Sequence, residues 1–149
     1  MKSRYGLEIR AATEAEAPGL SQLLAAAGLD IPPRLLADRL EAVRQGPGTA
    51  LIAIEWGPPS GVVVLHWYRA LEADQPVAQI TTLLVGPDDR RRGIGRMLIK
   101  AAAQAARVAG CAALTVAVPE DALSLRQFCV ATGFIGSGQS FVRPLRKKT

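Results

Sequence analysis

Between Arg90 and Arg96 the chain carries four arginines and two glycines in seven residues, Arg90-Arg91-Arg92-Gly93-Ile94-Gly95-Arg96. Glycine lets a backbone come close to a ligand because no Cβ stands in the way. Guanidinium groups attract anions and match phosphate oxygens with paired donors. The chemistry on offer is therefore anion binding, most naturally of a phosphate or pyrophosphate. The arginines alone are also what a solvated basic turn looks like.

The flanking elements weigh on that choice. Ala78 to Val85 reads as an apolar strand. From Ile94 the apolar positions Leu98, Ala101, Ala102, Ala105, Val108 and Ala109 fall at helical spacing, and Gly110 ends the run. Leu114 to Val118 is a short apolar run that suits a buried strand. Strand, helix and strand form a β-α-β unit with parallel strands. The loop leaving its first strand points at a helix N-terminus, where backbone N–H groups lack partners and the helix dipole is positive. Two other phosphate motifs do not fit. No G-x-x-x-x-G-K-[ST] string occurs, and a dinucleotide fingerprint would need a third glycine where Leu98 stands.

Upstream, Leu7 and Ile9 alternate with Glu8 and Arg10 as in a strand. Thr13 before Glu14 and Glu16 reads as an N-cap with an acidic first turn. Ala17, Leu20, Leu23, Leu24 and Ala27 give a helix stopped by Gly28. Pro32-Pro33 opens a second helix whose apolar face is Leu35, Leu36, Leu40 and Val43. Thr49–Glu55 and Val62–Arg69 predict a hairpin about the Gly57–Gly61 turn, and with Ala78–Val85 they make three consecutive antiparallel strands, the last of which opens the parallel unit. Downstream, Ala122–Thr132 predicts a helix closed by Gly133-Phe134, and Ser140–Leu145 a final strand.

The chain has 149 residues, 49% hydrophobic and 21% charged, which predicts one domain over 1–149. Net charge is +5, with the excess at the arginine loop and at Arg143, Arg146, Lys147 and Lys148. Such a balance suits an anionic ligand or a nucleic acid, but aromatic content of 5% argues against a base-stacking surface. Cys111 and Cys129 form no metal-type cluster with the single His, so no metal is expected; they read as two buried, unbridged thiols. With no apolar signal core and no stretch long enough to span a bilayer, the expected location is cytoplasmic, without membrane or nucleic-acid partners.

The run from Leu83 to Arg96 resembles the acyl-CoA signature of the GNAT superfamily of N-acetyltransferases, [QR]-x-x-G-x-[GA] after an L-x-V-x-P strand end. Leu125–Phe134 resembles the family's A-x-x-F-Y-x-x-x-G-F segment, and the order of elements agrees from Leu7 to Leu145. The resemblance implies an α+β fold: a central mixed sheet, antiparallel N-terminal strands, a β-α-β acyl-CoA-binding unit, and helices on both faces. It implies acetyl-CoA, or a close acyl-CoA, as donor. The pyrophosphate falls to the loop Arg90, Arg91, Arg92, Gly93, Ile94, Gly95 and Arg96. The pantetheine arm falls to Leu83, Leu84 and Val85, where the strand splays from its neighbour around Val116. The Leu83 N–H would polarise the thioester carbonyl.

The sequence departs from the family where protons are handled. Gln79 and Ala117 stand where relatives carry a glutamate, and Cys129 where many carry a tyrosine acid. Three readings stay open: Cys129 protonates the leaving thiolate, water relays protons to His66, Glu72 or Asp74, or proximity and polarisation suffice. Tyr68, Thr81 and Thr82 are candidates for contact with the acceptor, against roles in packing and strand formation. The resemblance of Ser140–Leu145 to small-molecule acetyltransferases favours a small primary amine over a peptide amine. A binding protein that has lost catalysis is the alternative of another class, and dimers are common in the family.

Overall fold

The computed structural model describes residues 6–90, 92–138 and 140–146. By its internal contacts the chain divides into two units, Met1–Val116 and Ala117–Thr149. No helix among the described residues is long and apolar enough to cross a membrane.

The first unit is built on five strands: β1 (Glu8–Ala11), β2 (Gly48–Ile54), β3 (Gly61–Tyr68), β4 (Val77–Val85) and β5 (Leu114–Val116). They lie side by side in chain order. The first four pair antiparallel, while β4 and β5 pair parallel across a helical crossover. The helices of this unit are α1 (Ala17–Ala26), α2 (Pro33–Gln45) and α3 (Ile94–Val108). The predicted mixed α+β sheet is therefore the observed one.

Side chains alternate across a strand, so register sorts the core into two faces. Ala50, Ile52 and Val62 lie on one face and pack with Leu20, Leu23 and Leu24 of α1 and Leu36 and Leu40 of α2. The other face receives α3. A Cβ added to Gly61 would sit 2.9 Å from Leu98 Cδ1 and 3.1 Å from Ile94 Cγ2. The missing side chain at Gly61 is what lets α3 lie this close to β3.

Several expectations need correction. Leu35 does not belong to the apolar face of α2: it is 42% exposed, because the helix turns Leu36 and Leu40 inward and leaves its neighbour outside. Val108 likewise points to solvent at the last turn of α3. The strand expected over 114–118 is only Leu114–Val116, with Thr115 exposed, so it is not a buried strand. Cys111 is half-buried, and only Cys129 of the two free thiols is buried.

In the second unit, α4 (Leu123–Ala131) ends where Thr132 Oγ1 donates to Phe128 O at 2.8 Å. Gly133 then takes φ +100° and Phe134 N–H donates to Cys129 O at 2.9 Å. Ser140–Leu145 is not a strand. Phe141, Val142 and Leu145 are almost fully exposed, and among the described residues no ladder pairs this stretch, so its β-propensity has no neighbour there to act on.

Candidate functional site

The geometry of β4 follows from two hydrogen bonds. Near its start, Ala78 N–H donates to Ala113 O at 2.9 Å, toward β5. Just past its end, Gly86 N–H donates to Ser60 O at 2.8 Å, toward β3. Peptide groups alternate in direction along a regular strand, so residues an even number apart should agree. These two disagree. The register explains why: Val64 faces Thr82 while Leu65 faces Ile80, which makes Thr81 one extra residue, a β-bulge.

Counting back from Gly86, the N–H groups of Leu84 and Thr82 point into the β3 ladder. Those of Val85 and Leu83 point away from β3. On that side the ladder to β5 runs only from Ala78↔Leu114 to Ile80↔Val116. Among the described residues, no backbone hydrogen bond from Leu83 or Val85 lies outside the β-ladders. The half of β4 beyond the bulge thus turns alternate peptide groups to the side where β5 has ended.

This strand leads into the arginine-glycine loop. Pro87–Asp89 makes a single 3₁₀ turn, with Asp89 N–H donating to Gly86 O at 3.0 Å. Gly93 is the N-cap of α3 and takes φ +78°, ψ +12°, a left-handed conformation that favours glycine. Among the described residues no side chain caps this end of α3, and Gly93 O accepts the first intrahelical bond from Met97 at 3.0 Å. The amides of Ile94 and Gly95 lie before that bond, in the turn whose donors have no helical carbonyl. Arg90 and Arg96 are exposed; Arg91 lies outside the described residues.

Arg92 is held by the protein itself. Its Nη2 donates to Glu55 Oε1 at 2.7 Å and its Nη1 to Asp89 Oδ1 at 2.9 Å. The Glu55 hydrogen bond, and after it that of Asp89, push the guanidinium pKa above its ordinary value. The expectation that Arg92 adds field for an anion narrows accordingly. Nothing in the sequence pattern marks Glu55, Ser60 or the bulge at Thr81 as parts of this region.

The acceptor candidates lie on the same sheet. His66 is half-buried on β3, opposite Gln79 of β4 and Gly48 of β2. By register His66 and Gln79 share the face that carries Val62 and Val64, and Thr82 continues it past the bulge. Thr81 is exposed at the bulge itself. Tyr68 ends β3 and is 54% exposed, so packing does not account for it. Glu72 and Asp74 are exposed in the loop between β3 and β4. In the second unit, burial pushes the Cys129 thiol pKa up, which keeps it protonated at neutral pH.

A family model described as the acetyltransferase (GNAT) family matches residues 17–134, a span that takes in parts of both units. None of the curated proteins matches the chain by sequence. Solved structures do. An acetyltransferase of Trypanosoma brucei superposes with a TM-score of 0.80 at 22% identity, covering 93% of this chain and 99% of its own. An aminoglycoside acetyltransferase from an uncultured soil metagenomic sample, in complex with sisomicin, superposes at 0.79 with 21% identity, covering 96% and 97%. A ribosomal-protein-alanine N-acetyltransferase of Brucella melitensis superposes at 0.78 with 22% identity, covering 94% and 99%.

Proposed function

The chain belongs to the acetyltransferase (GNAT) family, and from that premise we propose that it is an acetyl-CoA-dependent N-acetyltransferase acting on a primary amine of a small molecule. Residues 1–149 act as one domain in this reading. The observation that carries it is the pair of outward peptide groups at Leu83 and Val85, on a strand that feeds an αL glycine and a helix N-terminus without a side-chain cap.

The pantetheine arm of the donor lies along Leu83, Leu84 and Val85 and uses the outward N–H and C=O groups as a further strand would. Its pyrophosphate meets the amides of Gly93, Ile94 and Gly95, with Arg90 and Arg96 around it. The Leu83 N–H donates to the thioester oxygen, where charge grows as the amine attacks. The amine nitrogen bonds to the carbonyl carbon, the carbon–sulfur bond breaks, and the thiolate needs a proton. Cys129, buried and protonated, supplies it. The amine must enter unprotonated, although a lysine-like amine has a pKa of about 10. Its proton leaves through water to His66. Tyr68, Thr81 and Thr82 contact the acceptor.

The small-amine choice rests on the sequence likeness of Ser140–Leu145, and one similar structure is an aminoglycoside enzyme. A peptide amine is the second reading, with the similar ribosomal-protein-alanine enzyme on its side. Thiol release from acetyl-CoA over a panel of amines, amino acids, aminoglycosides and peptides tests both. Turnover with a small amine supports the first. Tight coenzyme A binding with no turnover on any acceptor would leave a binding protein instead.

A further inference from the structure

We infer that Glu55 is a positioning residue for the loop that precedes α3, acting through Arg92; the inference rests on the donor site proposed above. The loop is moored at both ends to the β2–β3 hairpin. At its start, Gly86 N–H donates to Ser60 O at 2.8 Å, and Ser60 is itself fixed by its N–H to Ala53 O, also at 2.8 Å. At its end, Arg92 reaches Glu55, thirty-seven positions away in sequence and just past the last residue of β2. Between them, Asp89 ties the 3₁₀ turn to the same guanidinium.

Charge argues against Arg92 as a phosphate ligand. One guanidinium is set against two carboxylates, so the cluster is net negative. It lends no attraction to an anion at Gly93. What it supplies is position. Gly93 follows Arg92 directly and holds a left-handed conformation, so a shift of Arg92 moves the amides of Gly93, Ile94 and Gly95 together. Those amides are useful only where they converge. The carboxylates are partly shielded, Glu55 with 20% and Asp89 with 28% of the side chain exposed, which favours a fixed geometry over a loose surface pair.

The test is a double-mutant cycle read by calorimetric titration with coenzyme A on the full chain, with apo melting curves to confirm folding. E55A and R92A should each weaken binding about tenfold, and the pair together no more than either alone. KM for acetyl-CoA should rise by the same factor while kcat and KM for the amine stay within about twofold. E55Q keeps an acceptor oxygen and should restore most of the affinity. E55D, one methylene short of Arg92, should behave as E55A and serves where E55A does not fold. Unchanged or tighter binding by E55A, or additive losses near a hundredfold in the double variant, would overturn the inference, the additive case because Glu55 and Arg92 would then act independently. Absence of coenzyme A binding by the unmodified chain would overturn the donor site and this inference together; wild-type binding that ignores Glu55 overturns the inference alone.

Discussion

At Thr13 and at Gly93 the first unit enters helical structure, and the two entrances are finished in opposite ways. At Thr13 the side-chain hydroxyl accepts from Ala15 N–H at 3.3 Å, and Glu16 Oε1 accepts from Thr13 N–H at 3.0 Å. Arg10 donates to both oxygens of Glu16 at 3.1 Å. Side chains close that end. At Gly93 the charged groups lie outside the helix end and brace the loop, and no side chain takes the cap. The same physical need, partners for first-turn amides, is met locally in one place and left to something other than a capping side chain in the other. A capping box is worth stability; the entrance at Gly93, which like those of α1 and α2 has no side-chain cap, is the one the proposed donor site would use.

The largest effect should come from the residue that makes the second entrance. A Cβ at Gly93 meets nothing within 4 Å, so steric clash is not the issue; the left-handed backbone is. G93V should cost about 1–2 kcal/mol of folding free energy. It should also weaken coenzyme A binding by about a hundredfold or more, as the amides swing out of line. Calorimetry and melting curves read the two separately. An affinity within threefold of wild type, as an order-of-magnitude bound, would mean that the entrance at Gly93 is not the pyrophosphate site.

The next test addresses the strand that leads there. Proline removes an N–H, and a sheet tolerates it where that N–H points out of the ladder. L83P should therefore fold while losing about a hundredfold in kcat/KM, the loss expected for one donor to a developing oxyanion. L84P removes a ladder donor to β3 and should lower the melting temperature far more. If the two variants melt alike, the bulge at Thr81 does not set the direction of the peptides as described.

These two tests also mark how far the sequence could be read. The β-α-β unit was legible because Ile94, Leu98, Ala101, Ala102 and Ala105 carry a helical period straight after an apolar strand. The antiparallel strands were legible from alternation and the Gly57–Gly61 turn. The bulge was not, because Thr81 differs in no way from an ordinary strand residue; its effect shows only against the partner strand. Glu55 was hidden for a similar reason: its partner lies thirty-seven positions on, and a lone Glu after a strand has no signature. Ser140–Leu145 misled in the opposite sense. Its apolar residues fit a strand, but a strand forms only against a neighbour, and none pairs with it here.

A smaller effect belongs to the proton steps. C129A should fold, because alanine fits a site that holds a small buried thiol, and should lower kcat about tenfold with KM for acetyl-CoA unchanged. C129S, with a hydroxyl in place of the thiol, should recover part of it. If the protonated thiol is the donor as proposed, the kcat–pH profile should lose an alkaline fall in C129A, the thiol pKa being raised by burial. An unchanged kcat would remove Cys129 from the reaction and leave the proton to water.

The smallest effect lies at the closed entrance, and it should touch stability alone. The Arg10 hydrogen bond, then those from Thr13, hold the Glu16 carboxyl below its ordinary value of 4.5, against the opposing effect of burial. A carboxylate whose pKa is lowered by folding stabilises the fold above its unfolded pKa and ceases to as pH falls through the folded one. The contribution of Glu16 should therefore be whole at pH 6 and fade below about pH 4.5. Arg10 is more than a third exposed, so solvent screens the pair and E16Q should cost only about 1 kcal/mol, roughly 3 °C in melting temperature. T13A should cost about as much through the lost cap. The gap between E16Q and wild type should narrow as pH falls from 6 through about 4.5 and below. Neither variant should alter coenzyme A affinity. If either did, the two entrances would be coupled, and the division between an end built for stability and an end built for a ligand would fail.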